Sequence, residues 1–128
     1  MVERENWEPA ASPLEHEELL ARCMGNLDFV QRVLSRFQSS FEEDLTRLEA
    51  GLMAGDAIEI ADVAHRMKGA SANTAAPGLH REAATIEQLA RAERTDELPH
   101  RVGRLRQEWT RFVDWLSSSD RLAVGIDA

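Results

Sequence analysis

Tyrosine is absent from this chain of 128 residues, cysteine and lysine each occur once, and aromatic residues make up only 5%. With β-branched residues sparse against many Ala, Leu, Glu and Arg, the composition argues against a β-sandwich or barrel and for helices. No stretch approaches the roughly 18 unbroken apolar residues of a membrane span. The N-terminus is acidic and lacks the basic-then-apolar profile of an export signal, so a cytoplasmic location is expected. The lone Cys23 excludes an internal disulfide and a cysteine-based zinc site, and reads as a small buried hydrophobe. Basic charge is in deficit too: the net charge of -8 makes nucleic acid and anionic membrane poor partners. What is present is enough for one domain, with 43% hydrophobic residues and 30% charged.

Helix signals recur along the chain. Ser12-Pro13-Leu14-Glu15 has the cap and first-turn residues of a short helix that Gly25-Asn26 stops. From Leu27, the residues Val30, Leu34, Phe37, Phe41, Leu45, Leu48 and Leu52 step by three or four, predicting one long amphipathic helix, with room for a bend at Ser39-Ser40 and an end at Gly55. Asp56 with Glu59 caps the next helix, which runs to about Asn73 or Thr74. Pro77-Gly78 marks a turn, and a further helix carries Leu79, Ala83, Ile86, Leu89 and Ala90 on one face. Thr95-Asp96-Glu97 opens the last, with Leu98, Val102, Leu105, Trp109, Phe112, Val113 and Leu116 in register. The expectation is an all-α fold: an antiparallel up-down four-helix bundle over 13–118 with a short extra N-terminal helix, between tails at 1–12 and 119–128.

The helix from Asp56 to Thr74 carries an unusual outer face. At roughly 100° per residue, and with His65 at zero, Ile60, Val63, Met67 and Thr74 cluster on the opposite side as the core stripe. Around His65 lie Ala61, Gly69 and Ala72, with Ile58 two turns back and Lys68, the only lysine, three residues on. Solvent faces are normally filled by long charged side chains, whereas this one is small and smooth. Gly69 disfavours a helix interior by about 1 kcal/mol relative to Ala, so close approach to the imidazole is one reason for it. A solvent-facing imidazole is a nucleophile near pH 7, and attack on phosphorus would add about two negative charges that Lys68 is placed to offset. Spacing alone does not separate such a site from an ordinary solvated histidine.

The run Ala64-His65-Arg66-Met67-Lys68-Gly69-Ala70-Ser71-Ala72-Asn73 resembles the signature of histidine phosphotransfer (HPt) domains, the helical carriers of two-component phosphorelays. Leu79, Ile86-Glu87 and the stripe before Gly55-Asp56 are similar to the rest of that pattern, which would extend over about Leu14 to Leu116. Where members often carry a glycine after the asparagine, this chain has Ala75. The resemblance implies a monomeric phosphoryl carrier without autokinase activity. His65 would be the acceptor, Lys68 and Gly69 the neighbours of the phosphate, and Ile58, Ala61 and Ala72 the docking surface. The partners implied are response-regulator receiver domains, those of hybrid histidine kinases included. It implies no cofactor of the chain's own, since Mg²⁺ and the acidic cluster would belong to the receiver.

Two other readings compete. A histidine kinase dimerisation helix would show a His-Glu motif and a nucleotide-binding domain, but Arg66 follows His65 and no glycine-rich loop is present. A bundle that binds a receiver or another signalling partner without carrying phosphate remains an alternative. His16, His65, His80 and His100 lack metal-ligand spacing, and His80 and His100 read as surface residues. Arg66, and Arg101, Arg104, Arg106 and Arg111 alternating with Glu108 and Asp114, read as solvated charges, while Trp115 sits off the core stripe as cover for a seam.

Overall fold

The structure is a computed structural model that describes residues 12–119; the expected tails fall outside the described residues except for Ser12 and Ser119. It is all-helical, as its composition requires. A short helix α1 (His16–Arg22) precedes four long ones: α2 (Leu27–Ala54), α3 (Ala57–Asn73), α4 (Pro77–Arg91) and α5 (Leu98–Ser119). A single 3-10 turn, Thr95–Glu97, leads into α5.

Capping chemistry sets the boundaries. The Asn26 side chain accepts from the backbone N–H of Phe29 to start α2, which runs unbroken through Ser39 and Ser40. Gly55 ends it in the left-handed region at φ 68°, and Asp56 immediately caps α3. One boundary differs from expectation. Helix α1 begins at His16, not Pro13, and the Ser12 hydroxyl donates to the Leu14 carbonyl instead of capping a helix. The reason is tertiary: Leu14 is fully buried, and the Glu15 N–H donates to the Ala75 carbonyl, tying the extended lead-in onto the α3–α4 turn. Ala75 itself holds a left-handed φ of 60°, the backbone state that favours glycine.

The four long helices run up and down in sequence. Between α2 and α5 the core is aromatic: Phe41 stacks on Trp109 at 4.4 Å, Trp109 on Phe112 at 5.4 Å, and Phe37 meets both edge-on. The indole N–H of Trp109 donates to Glu42 at 2.6 Å, so its polar edge is satisfied at the rim. Between α3 and α4 the contact is made by small residues, Ala61, Ala64, Ala83 and Ala90, all buried, and this is the most extensive pairing in the bundle. Trp115 is half-buried with its ring 6.2 Å from that of His16, closing the seam between α5 and α1.

Helix α5 corrects one expectation. Three of its four arginines, Arg104, Arg106 and Arg111, are engaged in ion pairs: Arg106 forks onto Glu49 of α2 at 2.9 and 3.1 Å, and Arg104 reaches the buried Glu82 of α4 at 3.8 Å. Glu108 is itself buried, 3.7 Å from Arg111. Its carboxyl lies against Gly78 in the first turn of α4, where a Cβ would stand only 2.5 Å from Oε2. None of these interhelical pairings is written in the local three-four spacing of α5.

Candidate functional site

The cap at Asp56 sets the rotational phase of α3, its Oδ1 accepting from the N–H of Glu59 at 3.1 Å. Ile60, Val63, Met67 and Ser71 are then buried, and His65 is turned outward with 64% of its side chain exposed. Helix α4 runs alongside and contributes Glu87, which the resemblance includes in the pattern without a role at the site. Its Oε2 lies 3.0 Å from Nδ1 of His65 and 3.1 Å from Nε of Arg91, and its Oε1 lies 2.8 Å from Nζ of Lys68. One carboxylate therefore joins three basic groups, two from α3 and one from its own helix.

The electrostatics follow. The Lys68 ammonium, with Arg91 and His65 adding to it, holds the Glu87 carboxyl at about 2 against the opposing effect of burial. Glu87 is thus an anion and accepts only, so the imidazole must carry its proton on Nδ1 to make this hydrogen bond. Nε2, on the far side of the ring, keeps the lone pair.

The surface around the imidazole matches expectation in part. Gly69 is exposed, with no heavy atom within 4 Å of where a Cβ would be. Ala72 is exposed as well, while its carbonyl accepts from the guanidinium of Arg22 at 2.8 Å, through which α1 caps the end of α3. Ile58 is 76% exposed. Ala61 is the exception. It is 2% exposed, because the close approach of α4 covers a wider arc of α3 than a single stripe. It floors a shallow depression beside Ile58 and Ala90 and does not stand on the outer face.

Two further placements correct the sequence reading. Arg66 is not simply solvated: its guanidinium lies 2.9 Å from Oδ1 of Asp44, a buried carboxylate on α2, and that contact raises Arg66 above its ordinary value. His80 is half-buried, with Nδ1 3.2 Å from the Lys68 carbonyl, an acceptor that requires a proton on that nitrogen. His100 is exposed. Among the described residues no group of three or more His, Cys, Asp or Glu side chains is placed to hold a metal ion, and no helix is long and apolar enough to cross a membrane.

A bundle that presents one oriented imidazole beside a lysine is the build of a helical group carrier, and the comparison with protein families agrees. The model of the Hpt domain matches residues 32–115, most of the chain, and the chain belongs to that family. Hpt domains serve histidine phosphotransfer in two-component phosphorelays, in which they meet response-regulator receiver domains. No curated protein and no solved structure matches the chain.

Proposed function

We propose that His65 accepts a phosphoryl group from a phosphoaspartate of one receiver domain and delivers it to an aspartate of another. The observation that carries this reading is the contact between Nδ1 of His65 and Glu87, which leaves Nε2 as the nucleophile on an exposed face. In the forward step the Nε2 lone pair forms the N–P bond as the acyl P–O bond breaks, and the electron pair leaves with the aspartate carboxylate. Lys68 lies one turn along α3 from the new phosphoryl charge, and its flexible stem lets the ammonium turn toward it. Gly69, Ala72 and Ile58 form the low surface against which the receiver packs; Ala61 supports it from beneath.

The chain acts as carrier and not as kinase, monomeric and cytoplasmic. It needs no cofactor of its own, and the Mg²⁺ of the reaction belongs to the receiver. The test is phosphotransfer from purified phosphorylated receiver domains, read by intact mass. Wild type should gain one acid-labile phosphoryl group that His65→Gln does not. A folded wild-type chain that accepts nothing from any receiver would leave a binding module in its place.

A further inference from the structure

We propose that the depression between α1 and the α3–α4 turn is a recognition site for a basic side chain of the docked receiver domain, and that it selects which receivers exchange phosphate with His65. The proposal rests on the carrier reading of His65 and adds the chemistry of the partner.

The depression has a volume of about 200 Å³. Its floor is apolar, made by Ala72, Ala75, Ala76 and Pro77, and suits the aliphatic stem of a long side chain. Its rim carries Glu15, Glu18, Arg22 and His80. The cation of the rim is already committed. The Arg22 guanidinium donates to the Ala72 and Asn73 carbonyls at 2.8 and 3.1 Å and to Glu18 at 2.5 Å. The acceptors are not. Glu15 is the N-cap of α1, yet its side chain makes no cap hydrogen bond, and among the described residues its exposed carboxylate pairs with no cation. His80 donates from Nδ1 to the Lys68 carbonyl, so its Nε2 keeps a lone pair. Two carboxylates less one engaged guanidinium leave the rim one negative charge in excess. An ammonium or guanidinium at the end of an apolar stem complements both the floor and the rim.

Position identifies the occupant. Ala72 belongs to the floor and also to the face of His65, seven residues further along α3, or about 10 Å along the axis. A specific interface takes about 800 Å² from each partner, a disc of about 16 Å radius. A receiver centred on Nε2 therefore covers the depression as well.

The experiment has two arms, both in the full chain as wild type, Glu15→Gln and Glu15→Lys, with equal helicity checked by circular dichroism. In the first, amide NMR follows titration with n-butylammonium, and with n-butanol as the uncharged control. Wild type should show saturable shifts at Ala72, Ala75, Ala76 and His80 with n-butylammonium. Binding should weaken about threefold or more in Glu15→Gln and vanish in Glu15→Lys. In the second arm, purified phosphorylated receiver domains donate to each chain, and phosphoramidate, which needs no receiver, loads His65 as the control. Glu15→Lys should accept from the receiver that serves wild type at least about tenfold more slowly, with the control rate unchanged. Among single variants of that receiver with a Lys or Arg replaced by Glu, one should restore transfer to Glu15→Lys. Equal receiver rates for wild type and Glu15→Lys would overturn the proposal. So would n-butylammonium shifts no larger than those of n-butanol, or failure of every receiver variant to restore transfer. Cation binding in a wild-type chain that accepts from no receiver would instead count against the carrier reading and leave the depression as a site for a basic side chain.

Discussion

The Lys68 ammonium stands 2.8 Å from Oε1 of Glu87, so the chain's single lysine is held by the neighbouring helix. The pairing explains how a cation is kept beside the imidazole in the absence of phosphate without folding back onto its own helix. It also couples the site to the α3–α4 interface, because Glu87 is buried and cannot follow Lys68 outward.

The same pairing gives a pH signature. The Glu87 carboxyl is lowered from 4.5 to about 2, so the folded state binds its proton more weakly than the unfolded chain does. Its contribution to stability is fully present above 4.5 and lost as pH falls toward about 2. Urea unfolding at stepped pH should show wild type losing stability across this interval more steeply than Glu87→Gln. Parallel curves would mean that the three contacts do not favour the ionised form.

Arg66 offers a test on the opposite flank of α3. Asp44 is buried, and Arg66→Ala removes the guanidinium 2.9 Å from it. The expected loss is about 1–3 kcal/mol, most of it the penalty of a buried carboxylate left without its counter-charge. Asp44→Asn should recover part of that loss in the double variant, a non-additivity that denaturant titrations of all four chains would measure. A change below about 0.3 kcal/mol for Arg66→Ala would assign the pair to the solvated surface.

Gly69 separates stability from docking. No atom stands within 4 Å of a Cβ there, so Gly69→Ala should stabilise the fold by about 0.5–1 kcal/mol through helix propensity alone. Gly69→Leu keeps the helix but raises a bulky group beside the imidazole. It should load from phosphoramidate at the wild-type rate and accept from a phosphorylated receiver at least about tenfold more slowly, an added barrier of about 1.4 kcal/mol. Equal receiver rates would show that the bare surface is not used for approach.

Much of this was legible in the sequence because it is local. Apolar residues at three-four spacing placed α2 through α5, Gly55-Asp56 placed the corner, and the phase of α3 put His65 outside and Met67 inside. What was not legible depends on which helices lie side by side. Glu87, 22 residues from His65, meets it only because α4 returns antiparallel to α3; the resemblance marks the Ile86-Glu87 pair, but nothing in the local spacing tells what Glu87 touches. Ala61 was misplaced for the same reason, since a wheel drawn on one helix cannot show how wide an arc its partner covers. The start of α1 was misread because tertiary burial of Leu14 overrode a cap pattern that is otherwise sound.

Glu108 is the clearest case of a residue whose surroundings reverse its surface reading. It is buried on α5, and among the described residues neither carboxyl oxygen accepts a hydrogen bond. Burial pushes its carboxyl above the ordinary 4.5, with Arg111 opposing. For a raised carboxyl the sign is opposite to that of Glu87: the favourable, protonated state is present at low pH and lost as pH rises through the folded value. Ionised Glu108 therefore destabilises the fold at neutral pH. Glu108→Gln keeps the shape without the charge and should be more stable than wild type at pH 7 by on the order of 1 kcal/mol. The advantage should vanish below the unfolded value of 4.5, where both chains are uncharged at this position. Thermal unfolding at pH 7 and pH 4 measures both arms. A variant less stable than wild type at pH 7 would show that the attraction of Arg111 outweighs desolvation.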